Sequence, residues 1–300
     1  MHNLRGSLLM VAAMAGFAIE DALIKFLAAI IPAGQIMVFI GLGGAACFGL
    51  LAARRGFGLW HPSALRGAVL IRNLAEMLGA ASMVMAIVMV PLAVVTAILQ
   101  AMPLAVTLGA ALFLGEPVGW RRWLAIGIGF AGVLLILRPG AASFDPAALL
   151  AVLGVLALSA RDLATRRVPA RVHSLQLAGW GFLAVVPGGL VLMALGMQAP
   201  VMPDAVQWGW LFLALLAGIL AYGALVSATR LGDIAVTTPF RYSRLVFAMA
   251  IGAMFFGERP DGLTLLGSGL IVGAGLFTLW RQIALNRALV ASAHRQGGSA

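Results

Sequence analysis

The sequence is poor in charged residues, and this scarcity decides its broad class. Only 10% of the 300 residues are charged, against about 25% in soluble domains, while 62% are hydrophobic and the mean hydropathy is +1.05. Several apolar runs reach the roughly 20 residues that a helix needs to cross a bilayer. The composition therefore excludes an ordinary soluble domain and predicts an all-α polytopic membrane protein.

Residues that serve metal, redox and ATP chemistry are also scarce. The single cysteine, Cys47, excludes an intrachain disulfide, and the four histidines fall in termini and loops. The single lysine, Lys25, follows Ile24, so the chain has no Gly-Lys phosphate-binding loop. No nucleophile–base pair and no Asp-rich metal motif occurs within the apolar runs. We therefore expect no cofactor, no metal and no enzymatic activity.

The formal net charge of +10 comes from arginines that lie between the apolar runs. They do not alternate with aromatic residues in a groove-forming domain, so a nucleic-acid partner is not expected. If the N-terminus is cytoplasmic, the loops on that side hold most of the arginines, whereas the opposite loops hold Arg138 and Arg259. By the positive-inside rule, this predicts a multi-pass protein of the inner (plasma) membrane with both termini in the cytoplasm.

Turn-forming segments divide the chain into ten predicted transmembrane helices. They cover about 7–30, 35–53, 67–90, 92–114, 120–138, 147–165, 174–197, 208–230, 233–256 and 262–281. Each predicted span is apolar around its whole circumference, which is typical of helices in lipid.

The chain contains an internal repeat that is marked by the phrases ALFLGEP and AMFFGER. A shift of 142 residues aligns 91–139 with 233–281, and a shift of 141 places Asp21 on Asp162 and Lys25 on Arg166. Each half holds five spans, and because five is odd the second copy enters the membrane from the opposite side. Inverted repeats are typical of secondary transporters with a central site. The predicted domains are a first repeat at 1–140, an inverted repeat at 146–282 and a cytoplasmic tail at 283–300.

These features resemble a known superfamily. Ten helices in two inverted repeats, with Gly115-Glu116 after the fourth and a glycine-rich fifth, resemble the drug/metabolite transporter (DMT) superfamily, most closely its EamA-type branch. The first span, with Lys25 and then Pro32, looks like the opening helix of that family. Size and apolarity look most like its YddG-type amino-acid exporters. The resemblance implies a carrier of small solutes and leaves the solute open.

Polar residues at mid-depth supply a predicted substrate site, because polar groups inside a membrane usually face a cavity or the bundle interior. The centrally placed Arg244 suits a carboxylate or phosphate; its partner is left open between Glu76, Glu20, Asp21 and an acid group of the substrate. The third span places Glu76 and Met83 on one face. The fourth span carries a polar stripe with Thr96 and Gln100, and the equivalent stripe of the ninth span has Thr238 and Tyr242. The predicted substrate-binding residues are Asn73, Glu76, Met83, Thr96, Gln100, Trp180, Tyr222, Thr238, Tyr242 and Arg244.

Other charged residues have a predicted structural or gating role. On the first span, Glu20 and Asp21 are expected to neutralise the charge of Lys25, since Asp21 and Lys25 are spaced i, i+4. Each Gly-Glu is expected to turn the chain, with the carboxylate capping a helix, pairing with a cation or acting as a gate. Arg72 is expected to snorkel to the cytoplasmic surface. The structural or gating residues are Glu20, Asp21, Lys25, Glu116, Arg241 and Glu258.

Small residues on the fifth and tenth spans predict close helix packing. Gly127 with Ala131, and Gly269 with Gly273, form small-xxx-small pairs at equivalent positions of the two repeats. They favour a scaffold role for these helices, with a monomer and a homodimer both open.

The function predicted from the sequence is secondary transport by alternating access at a central cavity. The mixed acidic, basic and methionine-rich lining favours export of small zwitterions, with amino acids (aromatic, apolar, methionine, threonine) as the first expectation. Two alternatives remain open: efflux of cationic amphiphilic drugs, and exchange of phosphorylated or nucleotide-linked metabolites. The partners expected are a small-molecule substrate and the lipid bilayer.

Overall fold

A computed structural model describes residues 2–58, 62–169, 171–231 and 234–297. Every regular element in these ranges is helical. The α-helices are α1 (His2–Leu27), α2 (Ala33–Ala53), α3 (Gly67–Met89), α4 (Leu92–Leu99), α5 (Met102–Leu114), α6 (Trp120–Leu137), α7 (Ala148–Thr165), α8 (Ser174–Leu195), α9 (Ala205–Leu231), α10 (Ile234–Thr237), α11 (Ser243–Phe255) and α12 (Gly262–Gly297). Short 3₁₀ helices cover Pro62–Leu65 and Thr238–Tyr242.

The ten predicted spans and their inverted arrangement are confirmed. Nine stretches within the described ranges are long and apolar enough to cross a membrane, and one of these, Leu92–Leu114, joins α4 and α5. The remaining span consists of α10, the 3₁₀ turn and α11, so its helix is interrupted. The segment predicted as a tail begins as a continuation of α12, which runs to Gly297; residues 298–300 lie outside the described part of the chain.

The fourth and ninth spans are both broken near their middle, at equivalent positions of the two repeats. Pro103 stands at the start of α5, and Pro239 lies within the 3₁₀ turn. Proline has no N–H to donate and its ring clashes with the carbonyl four residues before it, so a helix ends or bends there. The two breaks meet, because the Gln100 side chain donates to the carbonyl oxygen of Arg241 at 3.4 Å. Discontinuous helices that meet in this way commonly surround a transporter's solute site.

The repeated Gly-Glu phrase encodes the same turn twice. Gly115 ends α5 with φ 68°, and Gly257 follows α11 with φ 64°. Both values lie in the left-handed region, which glycine enters without the steric cost of a Cβ atom. The predicted role of these glycines as turn residues is therefore confirmed.

Close packing between α6 and α12 uses other glycines than those predicted. A Cβ atom at Gly132 would lie 2.7 Å from the carbonyl oxygen of Gly267, and one at Gly267 would lie 2.6 Å from that of Gly132. At Gly127, Gly269 and Gly273 a Cβ would meet nothing within 4 Å. These glycines therefore do not make the predicted close contacts within the described bundle, because they lie on the outward face of their helices; a contact with a second copy stays a prediction.

We expect Gly132→Ala to destabilise the protein, because the new methyl group meets a backbone oxygen that cannot rotate away. Overpacking of this kind costs about 1–3 kcal/mol. Gly127→Ala, which points into open space on the same helix, should be neutral or slightly stabilising, since alanine is the better helix former. Thermal unfolding in detergent micelles measures both, and equal melting temperatures would contradict the close approach of α6 and α12.

Candidate functional site

The bundle has two ends, which we call the N-terminal face, where α1 begins, and the far face, where α1 ends. Because successive spans alternate in direction, α5 and α7 end at the N-terminal face, and the ninth span begins there. The far half is filled by a buried apolar core between α3, α4, α7 and α11. Its members include Met83, Ala86, Ile87, Val90, Leu92, Val95, Ile98, Ala148, Ala151, Val155, Leu245 and Ala248.

Lys25 binds the end of α3 at the far face. Its ammonium donates to the carbonyl oxygens of Ile87 and Val90 at 3.0 and 2.6 Å, and lies 3.4 Å from Glu258 Oε1. The last carbonyls of a helix have no intrahelical donor, so a cation satisfies them well. The expected compensation between Lys25 and the acidic pair within α1 is therefore wrong. The long lysine side chain reaches stronger acceptors on another helix.

Glu258 caps α4 at the same face. We call the contacts of Lys25 and Glu258 with α3 and α4 the closure of the far face. Its carboxylate accepts the backbone N–H groups of Leu92 and Ala93 at 2.8 and 3.2 Å. A carboxylate at a helix N-terminus is stabilised by the unpaired N–H groups and by the helix dipole. The side chain is only 9% exposed, and that of Lys25 only 15%. The interpretation of this glutamate as a cap and cation partner is confirmed, and it ties α1 and α4 to the end of the ninth span.

The equivalent pair at the N-terminal face is open to solvent. The repeat places Arg166 on Lys25 and Glu116 on Glu258, and Arg166 Nη1 lies 2.9 Å from Glu116 Oε1. Each of these side chains is 48% exposed. The two repeats therefore make the same ion pair in two different states, buried at the far face and exposed at the N-terminal face. A gating role for the two glutamates stays a prediction.

Arg244 is paired with Asp21. Its Nη2 and Nε atoms lie 2.6 and 3.2 Å from Asp21 Oδ2, and its guanidinium stands 5.2 Å from the centre of the Phe17 ring. The alternative of a salt bridge between Arg244 and Glu76 is therefore wrong. Because Arg244 already has a carboxylate partner and an aromatic neighbour, it is less available to a solute than the sequence predicted.

Glu76 belongs to a second group of paired charges. Arg72 Nη2 lies 3.2 Å and Arg161 Nη1 lies 3.0 Å from the Glu76 carboxylate, and Arg161 also binds Asp162 at 2.8 Å. Arg72 is buried, with Gly181 packed directly against its guanidinium. The prediction that Arg72 snorkels to the surface is wrong, because Glu76 holds it inside the bundle.

Arg161 and Asp162 were not identified from the sequence as site residues. A signal was present, because the shift of 141 that aligns Asp21 with Asp162 also aligns Glu20 with Arg161. The first and sixth spans therefore carry charged pairs at the same depth.

Arg241 differs from the other interior arginines. Its side chain is exposed although it lies in the broken ninth span, and no carboxylate of the described residues lies within 4 Å of it. Arg161, Asp162 and Arg244 are close enough to act on it electrostatically. Arg241 was predicted to be structural or gating, yet it is an interior arginine that has no carboxylate partner among the described residues and remains open to a ligand.

The remaining predicted residues divide by accessibility. Thr96 and Trp180 are only 1% and 3% exposed, and Met83 and Gln100 are also buried, so a solute does not reach them in this state. Tyr222 lies near the charges of Arg72 and Glu76 and is within reach of the interior. Three others are partly exposed. Asn73 donates to the carbonyl oxygen of Ala64 in the first 3₁₀ helix, the Tyr242 hydroxyl packs against Gly275 of α12, and Thr238 begins the second 3₁₀ helix.

Loss of the Glu258 cap should open the far half of the bundle. We expect Glu258→Gln to raise the rate at which a thiol reagent modifies Thr96→Cys in a Cys47→Ser background. A charge-assisted hydrogen bond contributes about 1.5–3 kcal/mol, which corresponds to a 10- to 150-fold change in the opening equilibrium. Glu116→Gln, which removes an exposed carboxylate, is the matched control and should not raise this rate. Equal protection in both variants would contradict the assignment of Glu258 to the closure.

Comparisons with known proteins agree with this architecture. The model of the EamA-like transporter family matches residues 4–138 and again 145–280. The chain is 34% identical to a riboflavin transporter of Rhizobium johnstonii over 73% of this chain and 72% of that protein. It is 25% identical to an S-adenosylmethionine uptake transporter of Rickettsia prowazekii over 71% of each chain.

Two further similarities cover nearly the whole chain. The sequence is 29% identical to the pseudopaline exporter CntI of Pseudomonas aeruginosa over 90% of this chain and 94% of that protein. A solved crystal structure superposes with a TM-score of 0.60 at 20% identity, over 95% of this chain and 99% of the other, and it supports the fold alone. Since the family model covers both halves, the chain is a multi-pass membrane transporter of the EamA-like transporter family in the DMT superfamily.

Proposed function

We propose that this transporter exports small zwitterionic metabolites, with amino acids as the first class, by alternating access at the middle of the bundle. The observation that carries the proposal is Arg241. It lies at the break of the ninth span, is an exposed residue and has no carboxylate partner among the described residues. A cation inside a membrane protein is costly unless an anion neutralises it. The carboxylate of a solute supplies that anion.

The chemistry of arginine favours a carboxylate ligand. A guanidinium presents parallel N–H groups that match the two oxygens of a carboxylate. Arg244 and Glu76, two of the predicted binding residues, each have their own partners in this structure. We therefore assign the acid group of the solute to Arg241 and regard Arg244 and Glu76 as parts of the surrounding wall.

The balance of interior charge favours a solute that is neutral overall. The cationic side chains described above are equal in number to the acidic ones. They are Lys25, Arg72, Arg161, Arg241 and Arg244, against Glu20, Asp21, Glu76, Asp162 and Glu258. A cationic amphiphile or a doubly charged phosphate would leave this interior with an excess of one sign, whereas a zwitterion would not. This balance supports amino acids over both alternatives.

The direction of transport and the location of the protein follow from the proposed orientation. With both termini in the cytoplasm of a plasma-membrane protein, the open N-terminal face receives solute from the cytoplasm, and the closure at Lys25 and Glu258 faces outward. Loading from the inside is the first step of export. The relatives include proteins named for uptake and one named as an exporter. Solute chemistry also differs among them, although S-adenosylmethionine does contain an amino-acid head group.

Proteoliposomes that contain only the purified protein test the proposed function. They are loaded with unlabelled amino acid, and entry of labelled threonine, methionine and phenylalanine is followed by exchange. Riboflavin, S-adenosylmethionine, a phosphorylated sugar and a cationic dye are measured in parallel. Saturable entry of amino acids is the expected result. Uptake of one of the other solutes without any amino-acid exchange would overturn the proposal.

Arg241→Gln should weaken transport by raising the KM for the amino acid. Hydrogen bonds to a charged group contribute about 1.5–3 kcal/mol, which predicts a 10- to 150-fold rise. Arg241→Lys keeps the charge but loses the paired geometry and should fall in between. Arg259→Gln removes an exposed arginine outside the bundle interior and serves as the control. An unchanged KM in Arg241→Gln would exclude this arginine from solute binding.

A further inference from the structure

Glu20 is a carboxylate without a partner in the interior. It lies on the face of α1 that packs against α9, and among the described residues nothing forms a hydrogen bond or an ion pair with it. Its carboxylate rests on Gly218, where a Cβ atom would lie 2.4 Å from Oε1 and 2.9 Å from Oε2. Any side chain at position 218 would displace this carboxylate, so the glycine provides the space that it occupies.

The inverted repeat shows what is missing at this position. The shift of 141 aligns Glu20 with Arg161, and the shift of 142 aligns Gly218 with Glu76. At the symmetry-related position, Arg161 Nη1 and Glu76 Oε1 form an ion pair at 3.0 Å between α7 and α3. The equivalent helices, α1 and α9, therefore carry a charged residue at the same place, but glycine replaces its partner. One of the two symmetry-related positions has a complete ion pair, and the other has an acid alone.

The groups around Glu20 do not neutralise it. On its own helix the nearest charge is Asp21, of the same sign, and from α11 the nearest is Arg244. Arg244 is already bound to Asp21 through two nitrogens. From α9, the residues at this level are Ala217, Gly218 and Ala221. Two adjacent carboxylates thus share one arginine, and Glu20 has no cation of its own among the described residues.

We infer that Glu20 binds the ammonium group of the transported solute, which takes the place of the missing side chain. The identity of the solute as a zwitterion rests on the proposed function. Arg244 acts electrostatically on both Glu20 and Arg241. The two charged residues that lack an ion-pair partner are therefore both neighbours of Arg244. A metal ion is a poorer candidate, since no group of three or more metal-ligating residues occurs in the described part of the chain. The inferred class is a solute with one ammonium and one carboxylate.

Competition by three related compounds tests this inference in the exchange assay. Phenylalanine has both charged groups, 3-phenylpropionate lacks the ammonium, and phenethylamine lacks the carboxylate. The unchanged protein should bind phenylalanine at least tenfold more tightly than either analogue. Glu20→Gln should weaken the binding of phenylalanine about tenfold and leave that of 3-phenylpropionate unchanged. The preference for phenylalanine over 3-phenylpropionate then disappears. Arg241→Gln should instead remove the preference for the carboxylate. Asp204→Asn, an exposed helix cap on α9, is the control for loss of a carboxylate.

Two outcomes would overturn the inference. If Glu20→Gln weakens phenylalanine and 3-phenylpropionate equally, the residue acts through the structure and does not contact the amine. If the variant changes only the pH dependence of exchange, Glu20 carries a proton and not the ammonium. Binding of phenethylamine alone, followed by tryptophan fluorescence, separates this inference from the proposed function. If amino acids are not transported but phenethylamine binds and Glu20→Gln weakens it about tenfold, only the proposed function fails.

A paired substitution gives a second test. Glu20→Arg together with Gly218→Glu copies the Arg161–Glu76 pair into the symmetry-related position between α1 and α9. We expect this double variant to fold, with a melting temperature at or above that of the unchanged protein, and to lose ammonium binding. Retained binding of phenethylamine by the folded double variant would contradict the inferred site.

Discussion

The cost of placing charge inside a lipid bilayer constrains the whole interior of this protein. An isolated ionised side chain in a low-dielectric region is destabilising by several kcal/mol, so each one needs a partner or contact with water. Lys25, Arg72, Arg161 and Arg244 all have such partners. Apart from Arg72–Glu76, which lies within α3, these pairs join helices from the two repeats, as Arg244 joins α11 to α1. The requirement for neutralisation therefore determines both the packing of the bundle and the groups left for a ligand.

The two repeats use equivalent positions in different ways, and this asymmetry defines the state of the molecule. The Lys25–Glu258 pair is buried and caps α4, while Arg166–Glu116 is exposed. At a second position, Arg161 pairs with Glu76, while Glu20 faces Gly218. A symmetric arrangement would either close both faces or open both. Small differences between the copies thus leave the ion pair buried at one face and exposed at the other.

The sequence predicted the features that depend on composition and spacing. Ten spans, the inverted repeat and the turns at Gly115 and Gly257 follow from hydropathy and from the 142-residue shift. The ion-pair partners could not be predicted, because they depend on helix rotation and on the reach of long side chains. Lys25 could equally well have bound within its own helix, and Arg72 could have reached the surface. Helix rotation also decided which glycines of α6 and α12 meet, and short motifs do not encode it.

The proposed ligand groups suggest why solute and conformational change would be coupled. Without solute, neither Arg241 nor Glu20 has an ion-pair partner among the described residues, and closing the N-terminal face would strip water from the exposed Arg241. The desolvation cost of an unpaired arginine opposes closure of the empty carrier. A bound zwitterion pairs with both groups and lowers that cost, so the loaded form closes more readily than the empty one. Such a carrier favours exchange over net movement, because both directions of its conformational cycle proceed best with the site occupied.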